Sequence, residues 1–156
     1  MSTELLAPRQ LDFQEILAVI PQRFPFLMLD RIVELEPGVR ARGLKNLTGN
    51  EWFYQGHFPK RAVTPGAMLC EAVAQTGIVL FHYSRAEDAD FDVTYLMGQV
   101  RMRFLEPVWP GSQLHMEVSA VKLLSSAAML EAQVFADGRL AAKGEFALSA
   151  KSNRAL

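Results

Sequence analysis

Residues 67–83 constrain this chain more than any other stretch. They read Ala-Met-Leu-Cys-Glu-Ala-Val-Ala-Gln-Thr-Gly-Ile-Val-Leu-Phe-His-Tyr, contain no proline, and are apolar almost all the way round. A helix of that kind has no wet face and must be enclosed by other elements. Two polar side chains interrupt it. Glu71 and Gln75 stand four residues apart, so they share one helical face. A carboxyl group buried without a partner is costly, so Glu71 needs a reason to be there. Just upstream lies a loop stiffened by Pro59 and Pro65, carrying Gly56-His57-Phe58 and delivering Pro65-Gly66 to the helix start. A histidine, a shielded acid and a glycine at a helix N-terminus together point to acid–base chemistry. The run 67–81 is too short and too polar to span a bilayer.

The C-terminal half supplies what could enclose the helix. Val100, Met102 and Phe104 alternate with polar residues; so do Leu114, Met116, Val118 and Ala120, then Leu130, Ala132 and Val134, then Leu140, Ala142, Phe146 and Leu148. Period-two alternation predicts antiparallel strands with one buried and one wetter face. Asp137-Gly138 is a tight-hairpin signal. Toward the N-terminus, Asp12 and Glu15 form a capping-box pattern ahead of Phe13, Ile16, Leu17 and Ile20 at helical spacing, and Pro21 stops that helix. Pro25 keeps 21–26 irregular. Leu27–Glu34 and Val39–Leu47 read as two strands across the turn Glu36-Pro37-Gly38, while 46–53 gives no clear element. Residues 1–10 and 149–156 read as loose ends. The expectation is one α+β domain over 1–156, a curved antiparallel sheet wrapped around a long central apolar helix.

Half of the 156 residues are hydrophobic and 21% are charged, enough for a core. A net charge of −1 gives no general case for nucleic-acid binding. A single cysteine, Cys70, rules out an internal disulfide and fits a reducing cytoplasm; its setting reads as a small buried hydrophobe. No basic stretch followed by an apolar run is read as a signal peptide. His57, His82 and His115 lack metal-ligand spacing, so no metal is expected.

Pro-Gln-Arg-Phe-Pro-Phe-Leu-Met-Leu-Asp-Arg at 21–31, Gly-His-Phe-Pro at 56–59, Pro65-Gly66, Glu-Ala-Val-Ala-Gln at 71–75, Tyr-Leu-Met-Gly at 95–98, Arg103-Phe104, Pro107 and Pro110-Gly111 occur in order from about Leu11 to Leu148. Together they resemble the FabZ-like 3-hydroxyacyl-acyl-carrier-protein dehydratases of the hotdog fold. The resemblance implies a lyase of fatty-acid or related polyketide or polyene synthesis that needs no cofactor. It implies His57 and Glu71 as the catalytic pair, contributed by different protomers of a homodimer or of a trimer of dimers. Glutamate at 71, where the related dehydratase–isomerases carry aspartate, favours dehydration without isomerisation. The chain departs from the family pattern at Gln22, at Ala62 and across Gln99–Met102.

The chemistry can be assigned residue by residue. His57 can remove the C2 proton, since an imidazole exchanges protons near neutral pH. The N–H of Gly66 can polarise the thioester carbonyl at a helix N-terminus, and a glycine leaves room for the substrate. Glu71 can protonate the leaving hydroxyl, provided its apolar setting keeps it partly neutral. Gln75 can serve the site or simply join helix to sheet. Phe24 and Phe26 are candidate neighbours of an acyl tunnel, and Tyr95 falls where relatives carry a gating loop. An acidic carrier protein would dock on basic residues, with Lys60, Arg61, Arg101 and Arg103 as candidates. Two other functions compete: a hotdog acyl-thioesterase, and a subunit that needs a hotdog partner chain.

Overall fold

The computed structural model describes residues 8–156. Its elements are β1 (Arg9–Leu11), α1 (Phe13–Val19), β2 (Arg31–Glu36), β3 (Arg40–Asn46), α2 (Gly66–Ser84), β4 (Val93–Phe104), β5 (Gln113–Leu123), β6 (Ala127–Ala136) and β7 (Arg139–Ser152). The seven strands form one antiparallel sheet in the order β1-β2-β3-β5-β6-β7-β4. Helix α2 packs against β3, β5, β6, β4 and β7, so the sheet wraps the apolar helix as its composition demands. Every residue from Ala72 to Phe81 is buried. The helix lies close on the sheet at Gly77, where a Cβ would come within 2.7 Å of the Phe146 ring and 2.9 Å of Leu130. That contact explains a glycine in mid-helix, which costs about 1 kcal/mol relative to alanine.

Local chemistry explains the shorter elements. The Asp12 side chain accepts from the Glu15 N–H at 2.9 Å, and Glu15 accepts from the Asp12 N–H at 2.8 Å, so α1 has the full capping box. Asp137 and Gly138 both have positive φ, 50° and 81°, as a two-residue hairpin turn requires. Burial alternates along β5 and β6.

Three expectations are corrected. Leu27–Asp30 is not strand; β2 begins only at Arg31. Here the Met28 N–H donates to the buried Gln75 side chain, so a side chain stands where a neighbouring strand would, and pairing with β3 begins only at Asp30, whose N–H donates to the Leu44 carbonyl. Next, β4 starts at Val93, and two of its three expected inward residues, Val100 and Phe104, remain exposed, while Met102 packs against the core. The strand's place at the sheet edge, paired only with β7, is the reason. Finally, the ends are ordered into the fold. Arg9 and Gln10 belong to β1, and β7 runs through 149–152 into a 3-10 turn, Asn153–Ala155. Asn153 is tied to Asp92 through its backbone N–H and its side-chain amide, and accepts from Thr94. The rest of the expected loose lead-in, residues 1–7, lies outside the described residues. Among the described residues no helix is long and apolar enough to cross a membrane.

Candidate active site

The loop before α2 is held by its own backbone. The His57 N–H donates to the Phe53 carbonyl, the Val63 N–H to the His57 carbonyl, and Phe58 and Arg61 exchange both of theirs. The ambiguous stretch 46–53 leads into a 3-10 turn, Trp52–Tyr54. The Tyr54 hydroxyl meets the Thr64 hydroxyl at 2.8 Å, which closes the loop immediately before Pro65 and Gly66. The Thr64 N–H donates to the Val108 carbonyl at 2.8 Å, which anchors the helix start to the β4–β5 connection.

Within this frame the His57 ring is oriented. Its Nδ1 lies 2.9 Å from the Val63 carbonyl. A carbonyl only accepts, so Nδ1 carries the hydrogen and the neutral ring keeps its lone pair on Nε2. The ring stacks on Phe58, centroids 4.0 Å apart. Around it lies a cavity of about 450 Å³ lined by Trp52, Phe53, Gly56, His57, Pro65, Ala67 and Met68. His57 is the one titratable side chain in that lining.

Glu71 stands one helical turn beyond Ala67 on the same face of α2. Burial pushes its carboxyl above the ordinary range, and a hydrogen bond from Gln75 partly opposes the shift. Gln75 is fully buried. Its Nε2 donates to Glu71 Oε1 at 2.8 Å and to the Phe26 carbonyl at 2.9 Å, while its Oε1 accepts from the Met28 N–H at 2.7 Å. Gln75 therefore serves Glu71 and the packing of the 26–28 segment at once. Glu71 does not line the His57 cavity; within a single chain His57 comes from the loop before α2 and Glu71 from the helix itself, and no one cavity is lined by both.

Gly66 opens α2, but what crowds it differs from the expectation. A Cβ there would lie 2.9 Å from the Phe104 ring, so the position is kept bare by a side chain of β4. The space beside it, about 270 Å³, is bounded by Thr64, Gly66, Leu69 and residues 104–108. Its lining shares no residue with that of the His57 cavity, although Pro65 and Ala67 of the latter flank Gly66.

The remaining candidates are scattered. Tyr95 is not on a loop: it lies in β4, 8% exposed, packed edge-on against Phe81 at 5.7 Å, with its hydroxyl 3.2 Å from His82 Nδ1. The strand begins seven residues earlier than the alternation from Val100 indicates, which is why it is buried. Burial raises the Tyr95 hydroxyl pKa, and burial together with Arg85 lowers that of His82. Phe24 is 89% exposed and bounds a separate cavity with Phe13, Leu17 and Leu27. Phe26 is also exposed, and reaches Glu71 only through its carbonyl and Gln75. Lys60 and Arg61 flank His57, with the Arg61 guanidinium 4.4 Å from the centre of the Trp109 ring. Arg101 and Arg103 sit elsewhere, on the outer sheet face among Glu117, Glu131 and Glu145, so their surroundings are mixed in charge rather than basic. Among the described residues no cluster of three His, Cys, Asp or Glu could hold a metal. Sequence reasoning missed Trp52 and Met68 as cavity walls; the aromatic triplet at 52–54 was the available signal. It also missed the Val63 carbonyl, for which a backbone group leaves no signal.

A family model described as a FabA-like domain matches residues 20–149. The chain is similar to the 3-hydroxyacyl-[acyl-carrier-protein] dehydratase FabZ of Geotalea uraniireducens, 42% identical over 86% of this chain and 93% of the relative. It is 44% identical to the protein of the same name from Roseiflexus castenholzii, with the same coverage. The corresponding Burkholderia lata protein is 38% identical over 97% of each chain. Among solved structures, the dehydratase heterocomplex ApeI:P from Xenorhabdus doucetiae superposes with a TM-score of 0.74 at 14% identity, covering 90% of this chain and 93% of that one. At that identity the likeness concerns the fold alone.

Proposed function

The chain belongs to the FabZ-like group of the FabA-like family, and on that premise we propose that it dehydrates (3R)-3-hydroxyacyl thioesters borne on acyl carrier protein to trans-2-enoyl thioesters, with His57 and Glu71 as base and acid. The observation that carries the roles is the bond from His57 Nδ1 to the Val63 carbonyl. It leaves Nε2 as a base facing an apolar cavity. His57 Nε2 takes a proton from C2, and the electron pair moves onto the thioester oxygen as an enolate. The Gly66 N–H at the start of α2 receives that charge. The enolate collapses to the C2–C3 double bond as the C3–O bond breaks, and Glu71 protonates the departing hydroxyl, which leaves as water. The proton held by His57 then returns through solvent to Glu71. Burial of Glu71 favours the neutral form this role needs.

Because the two groups do not share a cavity within one chain, His57 of one copy works with Glu71 of a second. The exposed apolar edge of β4, with Leu96, Val100 and Phe104, supports a homodimer, since an unpaired edge is a template for another strand. Acyl carrier protein docks beside the loop at Lys60 and Arg61. Incubating the purified chain with carrier-bound 3-hydroxyacyl thioesters of varied length, read by mass spectrometry, tests the reading. Loss of water supports it. Free acid and free carrier thiol identify a thioesterase instead, and activity only after a second hotdog chain is added identifies an obligate heteromer.

A further inference from the structure

We infer that Gln75 is a positioning residue that commits Glu71 Oε1 to accepting a hydrogen bond, leaving Oε2 as the oxygen that delivers the proton. This rests on the acid role of Glu71 proposed above. The orientation of the Gln75 amide is not a free choice. The Met28 N–H can only donate, so Gln75 Oε1 must face it, at 2.7 Å. The Phe26 carbonyl can only accept, so Nε2 must face that, at 2.9 Å. The second Nε2 hydrogen is thereby aimed at Glu71 Oε1, 2.8 Å away. An oxygen that accepts from an amide does not also present an acidic proton toward it. When Glu71 is neutral its proton therefore sits on Oε2, for which no hydrogen bond exists among the described residues.

The same geometry removes Gln75 from contact with substrate. Its side chain is fully buried, and both amide hydrogens are already used. It also ties the acid to the loop around Phe24 and Phe26, because moving the backbone at 26–28 would turn the amide and release Glu71 Oε1. A residue that only joined the helix to the 26–28 segment would need the Phe26 and Met28 bonds but not the third.

Titration of Glu71, followed by NMR on glutamate carbon-labelled protein, separates the two roles. In the wild type, the Gln75 side-chain amide protons should shift with the same midpoint as the Glu71 carboxyl. In Gln75→Met, loss of a donor that favours the carboxylate should move the Glu71 midpoint upward. The alkaline limb of the kcat profile should move up with it, because activity requires the protonated acid. kcat should fall on the order of 10²-fold, as for a misplaced catalytic group, with KM little changed. Amide protons indifferent to Glu71, or a Gln75→Met protein with wild-type midpoint and kcat, overturns the inference. Should that variant not fold, the wild-type amide titration decides alone. Coupled titration in a protein that dehydrates no hydroxyacyl thioester would sink the proposed function and leave the positioning of Glu71 standing.

Discussion

Glu71→Gln separates catalysis from stability at one site. The replacement keeps the shape and leaves an amide oxygen to accept the 2.8 Å bond from Gln75, so the local packing should persist. What is lost is the transferable proton. General acid catalysis contributes about 10²–10⁴-fold, equivalent to about 2.7–5.4 kcal/mol of barrier at ~1.36 kcal/mol per decade. Stability should move the opposite way. Burial holds the Glu71 pKa above its ordinary value of 4.5, so the folded chain binds this proton more tightly than the unfolded chain. The wild type is then free of the penalty below pH 4.5 and loses stability as pH rises through the folded-state value. Glutamine does not titrate. The variant should match the wild type in acid and exceed it at neutral pH, in urea titrations run across that range. Carrier-bound substrate assayed in parallel should show turnover reduced at least ~100-fold. Turnover within a few-fold of wild type, or a stability difference that ignores pH, would refute the assignment of a half-buried acid with a raised pKa.

Three further outcomes are expected. Purified His57→Ala and Glu71→Gln proteins should each be nearly inactive, yet unfolding and refolding them together should restore about a quarter of wild-type turnover, as random exchange in a two-fold assembly rebuilds one intact site per mixed dimer; no recovery would place both groups of a site in one chain. Gly66→Ala should lower turnover because the new methyl must displace the Phe104 ring 2.9 Å away, and a second change, Phe104→Leu, should recover part of it; an unaffected single variant contradicts that contact. Tyr95→Phe removes only the hydroxyl bonded to His82, so it should cost about 0.5–1.5 kcal/mol, a few degrees in thermal midpoint, with turnover unchanged. A large kinetic effect without loss of stability would return Tyr95 to a gating role.

Much of this architecture is written into local pattern. An all-round apolar helix over 67–83 permits little except enclosure, and the alternation at 114–120 and 130–134 needs only the period of a strand to reveal its buried face. Asp12 with Glu15, and Asp137-Gly138, act through neighbours three residues away or fewer, so the chain order alone determines them. Tertiary structure decided the rest because the deciding partners are distant along the chain. Leu27–Asp30 forgoes strand geometry for an amide 47 residues away, from Gln75 to Met28. Val100 and Phe104 follow a core pattern yet lie exposed, because sheet order puts β4 at an edge. Tyr95 is buried in a strand rather than set on a loop because its strand begins earlier than its pattern. The residue types His57 and Glu71 were legible from spacing and setting. Which nitrogen of one and which oxygen of the other faces open space depends on the Val63 carbonyl and the Gln75 amide. A main-chain oxygen and a side-chain rotamer have no signature in the order of residues, since only folding fixes where they point.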